Sequence, residues 1–147
     1  MYQRILVATD GSELSAKAVD HAIRLAATCG AEVVAVNVVP RYPRSYFDGS
    51  LPLSAEEIER VEHHWVESGQ KVLDTVQAAG AAHNVKVTTT ISKSDLVAEA
   101  VIETARQHDA DLIVMASHGR KGVSRLLLGS ETQQVLTHSE IPVLVLR

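Results

Sequence analysis

Five consecutive residues, Leu112-Ile-Val-Met-Ala116, carry neither a charge nor a polar side chain. A run this short and this apolar suits a strand covered on both faces, as in the middle of a parallel sheet. A loop with glycines at 119 and 122 follows and ends at Gly129-Ser130. Then come a short helical pattern and a last apolar strand, Val143 to Leu146. A strand that feeds a glycine loop closing onto a helix start turns backbone N–H groups toward an anion. The helix N-terminus adds partial positive charge at the same point. This is phosphate-binding hardware, although neither G-x-x-x-x-G-K-[ST] nor G-x-G-x-x-G occurs in the chain.

The remainder of the chain alternates in the same way. Ile5 to Thr9 reads as a strand, and Asp10-Gly-Ser as a turn. Leu14, Ala18, Ala22 and Leu25 then recur at helical spacing over about Ser12 to Cys29, closed by Gly30. Val33 to Val39 is a second apolar strand, stopped by Pro40 and followed by an irregular loop over 40–53. Ser54-Ala-Glu-Glu57 fits a capping box, and the spacing predicts a long helix from it to about His83. Val85, Val87, Thr89 and Ile91 alternate with more polar residues, the pattern of a sheet edge. Ser94-Asp95 opens a helix ending near His108, and Ser130-Glu-Thr-Gln133 fits a second capping box with Ser130 at the N-cap. Helical crossovers between successive strands predict an α/β fold: an open, doubly wound, five-stranded parallel sheet with helices on both faces. With 147 residues and no internal repeat, one domain spanning 1–147 is expected.

Ala116-x-x-Gly119, nine residues, then Gly129-Ser130 resembles the G-x-x-G-x9-G-[ST] nucleotide motif of the universal stress proteins, with alanine at the first glycine. The opening Ile5-Leu-Val-Ala-Thr-Asp-Gly-Ser12 and the ending Ile141-Pro-Val-Leu-Val-Leu146 resemble the same family. The resemblance implies strand order 3-2-1-4-5. Ligands of doubly wound sheets sit where the winding reverses, here between strands 1 and 4. It further implies ATP or AMP as ligand, Mg²⁺ accompanying the nucleotide, and a homodimer through Val143–Leu146. The flat apolar edge of that last strand agrees with pairing.

Gly119, Gly129 and Ser130 are the expected phosphate contacts, with Ser130 also able to cap a helix. Arg120, beside Lys121 and Arg125, would offset phosphate charge, and Glu131 stands at the helix start. Thr9, Val38 and Met115, at strand ends, have the resemblance-implied role of lining the adenine slot. Asp10 has two readings, helix capping or contact with ribose or a metal ion. At Ala116 a methyl group continues a strand of negative φ and crowds a ligand slightly.

His118 lacks an orienting carboxylate or nucleophile that the sequence can place beside it, so binding is expected and catalysis is not. The net charge of -4 argues against nucleic acid, and no apolar run approaches a membrane span. A single cysteine, Cys29, fits a reducing compartment, and the cytoplasm is expected. Two functions compete. One is a regulatory protein that binds Mg-ATP and acts on an unidentified protein partner. The other is a dimeric interaction module of the same fold that holds no nucleotide, favoured by Ala116 and Glu131.

Overall fold

In a computed structural model the protein is described over residues 1–42, 53–119 and 128–147. Among these, nine elements follow in order: β1 (Arg4–Ala8), α1 (Glu13–Cys29), β2 (Glu32–Val39), α2 (Ala55–Ala82), β3 (Val87–Lys93), α3 (Val97–Gln107), β4 (Leu112–Ala116), α4 (Ser130–His138) and β5 (Val143–Leu146). The strands form one sheet in the order β3-β2-β1-β4-β5. All four pairings are parallel, with Ile5 opposite Val33 on one side and Leu112 on the other. The expected fold and strand order are both present.

Alternation along the central strands assigns the two faces. Ile5, Val7, Val33, Ala35, Leu112 and Val114 pack with α1 and α2. Leu6, Val34, Val36, Ile113 and Met115 pack with α3 and Val135 of α4. Every residue of β4 is buried, as a strand covered on both faces must be. Ile5, Leu6, Ile113 and Val114 are fully buried, and burial of each stabilises by roughly 2 kcal/mol. That anchoring fixes where the carboxyl ends of β1 and β4 emerge.

Three helix starts differ in their physics. α1 is capped by Ser12, whose Oγ accepts from the Ser15 amide. α2 has the full capping box: Ser54 Oγ accepts from the Glu57 amide while Glu57 accepts from the Ser54 amide. The Ser54 amide, together with the Ser54 hydroxyl that donates to Glu57 Oε2, holds the Glu57 carboxyl below its usual range. α3 begins at Val97, later than Ser94-Asp95 suggested, because Ser94 Oγ accepts from the Leu96 amide and closes a local turn first. Likewise β3 begins at Val87, since the Val85 amide is bonded to the Gly80 carbonyl at the end of α2.

The two halves of α2 differ. Its buried residues are Gly69, Leu73, Val76 and Gly80, all in the C-terminal half. Gly69 lets the helix close on β2, because a Cβ there would lie 2.5 Å from Asn37 Oδ1. The N-terminal half, from Ala55 to Ser68, has no buried residue.

Candidate functional site: the crevice beyond strands β1 and β4

β1 and β4 are neighbours, but their chains leave the sheet toward opposite faces, β1 into α1 and β4 toward α4. The divergence opens a crevice of about 780 Å³. Nine of the ten expected site residues line it: Thr9, Asp10, Val38, Met115, Ala116, Gly119, Gly129, Ser130 and Glu131. The tenth, Arg120, lies outside the described residues, as do Lys121, Gly122 and Arg125. In the irregular loop after β2, Arg44 also lies outside them. The Arg41 amide bonds Asp95 Oδ1 at 3.0 Å, and Arg41 is exposed.

The β1–α1 turn is held by its own side chains. Asp10 Oδ1 accepts from the Ser12 amide at 2.9 Å. Thr9 Oγ1 lies 3.0 Å from Ser15 Oγ, and Ser15 Oγ donates to the Ser12 carbonyl. Asn37 Nδ2 donates to the Thr9 carbonyl at 3.0 Å, locking the end of β1 to β2. Asp10 thus supports the turn while Ser12 is the cap.

The other wall is built differently. The Ser117 amide bonds the Leu146 carbonyl and the Gly129 amide bonds the Ser117 carbonyl, each at 2.7 Å. The loop therefore leaves and rejoins at one point. Buried Thr132 donates its Oγ1 to both the Ala116 and Ser117 carbonyls, at 3.0 and 3.1 Å, and so pins the first turn of α4 against the end of β4. The N-cap of α4 is Gly129, with φ −62 and ψ 153, and no side chain caps it. Ser130, expected at the N-cap, is the first helical residue instead. The Gly129–Ser117 hydrogen bond sets the turn one residue earlier than the capping-box pattern indicated.

Neither glycine of the motif among the described residues has positive φ; that conformation belongs to Gly11 and Gly30. Their glycine character serves close approach. A Cβ on Gly119 would sit 2.6 Å from Asp10 Oδ2, where the two loops meet. One on Gly129 would sit 3.2 Å from the Ser117 carbonyl oxygen and 3.3 Å from the His118 Cα. Ala116 lies within β4 and is absent from the residues of positive φ, so its methyl group strains nothing in the backbone.

The acidic side chain at the start of α4 has a defined partner. Glu131 Oε2 accepts from the Ala98 amide at 3.2 Å, supplying α3 with the carboxylate its own N-cap, Leu96, does not provide. His118 lines the crevice with Nδ1 3.2 Å from Ser117 Oγ. Among the described residues no group of three His, Cys, Asp or Glu side chains could hold a metal ion by itself.

Sequence reasoning did not include Thr132, Asn37 and the α2 wall in the site. Asn37 was legible as the one polar residue within the apolar run Val33 to Val39. Thr132 sits among Ser130, Glu131 and Gln133 with nothing to distinguish it. His64, Trp65 and Ser68 of α2 also line the crevice. Trp65 fits a helical core pattern, yet it is only half-buried and stacks on Tyr42, with ring centroids 6.3 Å apart and planes 20° apart.

Comparison with known proteins accords with this geometry. Residues 1–147 match the model of the universal stress protein family. The chain is 35% identical over 149 residues to universal stress protein MJ0531 of Methanocaldococcus jannaschii, covering 100% of this chain and 83% of that protein. Its fold superposes on universal stress protein UspA from Lactobacillus plantarum with a TM-score of 0.86 at 24% identity, covering 99% and 98% of the two chains. A universal stress protein solved in complex with cAMP superposes with a TM-score of 0.72 at 25% identity, covering 99% and 97%. Among the described residues no helix is long and apolar enough to cross a membrane. The chain belongs to the universal stress protein family.

Proposed function

We propose that this protein is a stress-response regulator that binds an adenine nucleotide, ATP or AMP, in the crevice between β1 and β4. The observation that carries the reading is the start of α4. It is a helix N-terminus with no side-chain cap, reached through Gly119 and Gly129, at the polar end of a crevice large enough for a nucleotide. The relative in complex with cAMP supports the same ligand class. Mg²⁺ would arrive on the phosphates, since magnesium is usually held by one or two carboxylates together with phosphate oxygens. Asp10 is the carboxylate beside Gly119 that fits this role. The protein acts by holding the ligand and passing its presence to a protein partner in the cytoplasm. A homodimer through the half-buried edge strand β5 completes the proposal.

A second reading, a dimeric module without nucleotide, draws on Glu131. Its carboxylate lines the crevice and is already engaged with the Ala98 amide. Calorimetric titration with Mg-ATP and AMP separates the two. The first reading expects binding by the native chain and a drop of about tenfold or more for Gly119→Val, whose side chain enters the space beside Asp10. Heat that emerged only in Ala116→Gly would favour the second reading. Val145→Lys, on the edge strand, should convert the dimer to a monomer in sedimentation, and an unchanged dimer would remove β5 as the interface.

A further inference from the structure

The crevice is chemically lopsided. One end is polar, formed by Gly119, Gly129 and Ser130, while the β2 end presents Val38, Val39 and Pro40. Above that apolar end stands the N-terminal half of α2, which contributes no buried residue to the core. Its capping box nonetheless secures it, so nearly four turns of helix are kept beyond what the sheet needs. The crevice residues on this stretch are His64, Trp65 and Ser68. Trp65 lines the crevice, whereas Tyr42, stacked on it, does not. The phenol ring stacked on the indole adds to what holds the Trp65 side chain in place.

We propose that Trp65 is a specificity-determining residue of this site, forming a flat aromatic wall against which the base of the bound nucleotide packs while the phosphates lie at the start of α4. A rigid indole requires little ordering on binding and meets a purine face over a large area. It selects for an aromatic base and contributes nothing to a sugar phosphate alone. The inference rests on the nucleotide reading above and names the part of the protein that recognises the base.

Trp65 is the only tryptophan in the chain, which makes it its own reporter. AMP and ribose 5-phosphate are titrated into the native protein and into Trp65→Ala and Trp65→Phe, by calorimetry for all three and by intrinsic emission for the native chain. The expected result is that AMP changes the emission and ribose 5-phosphate does not. Trp65→Ala should bind AMP roughly tenfold more weakly while its affinity for ribose 5-phosphate stays native, and Trp65→Phe should recover most of the loss. Far-ultraviolet circular dichroism checks that both variants fold, and Trp65→Leu, bulky but without an aromatic face, carries the test if the alanine variant does not. AMP bound by calorimetry with unchanged emission, and with native affinity in the variants, would overturn the aromatic wall and leave nucleotide binding standing. No heat with either AMP or Mg-ATP in the native chain would overturn both.

Discussion

Two helix starts face each other across the crevice, and they are finished in opposite ways. α1 closes on itself: Ser12 caps it, Asp10 braces the turn, and Thr9 and Ser15 join beneath it. α4 begins at a glycine without a side-chain cap, held from behind by Thr132 and by the Gly129–Ser117 hydrogen bond. A helix start needs its amides satisfied either by the chain or by something that comes to it. The first is therefore a structural terminus. The second is braced in position while its N-cap residue supplies no side chain to its amides, which is the condition for meeting an anion.

The contrast can be broken by substitution. The largest effect is expected at Thr132→Val, which deprives two carbonyls of a buried donor and should destabilise the fold by about 2 kcal/mol in urea melts. Because it loosens α4, it should also weaken nucleotide binding in calorimetry. Next is Ser12→Ala, expected to lower stability by about 1 kcal/mol while leaving ligand affinity within about twofold. If this substitution abolished binding, the two termini would not be divided in labour as described. The smallest is Glu131→Gln, which keeps an acceptor for the Ala98 amide and removes a negative charge from the crevice. Like charges about 6 Å apart in a water-like dielectric repel by about 0.7 kcal/mol, so Mg-free ATP should bind about threefold more tightly. Equal affinities would mean that Glu131 is turned away from the phosphates.

The architecture was legible because its signals are local and repeated. Apolar runs marked the strands, helical spacing lay between them, and the alternation of Val85, Val87, Thr89 and Ile91 with more polar residues marked an edge. The crevice was legible for a topological reason: once strands 1 and 4 adjoin, residues leaving their carboxyl ends must flank the reversal. The cap of α4 was misplaced by one residue because Gly129 answers to Ser117, twelve positions earlier. The Ala98 amide in the first turn of α3 finds its acceptor in Glu131, thirty-three positions away. Neither partnership leaves a trace in the neighbouring residues. Trp65 was hidden by its own regularity, since a half-covered aromatic at helical spacing reads like any core residue until the sheet is seen to end beneath it.

The bond that joins Gly129 to Ser117 has a consequence for how such a chain can change over time. The strand and the helix on either side are joined there and by the two Thr132 hydrogen bonds, so positions 117 and 129 stay together whatever the sequence between them. The ends of the intervening stretch are already brought together, and lengthening a closed excursion adds only slowly to its entropic burden. A substitution between them can change what a ligand meets without moving either end of that frame.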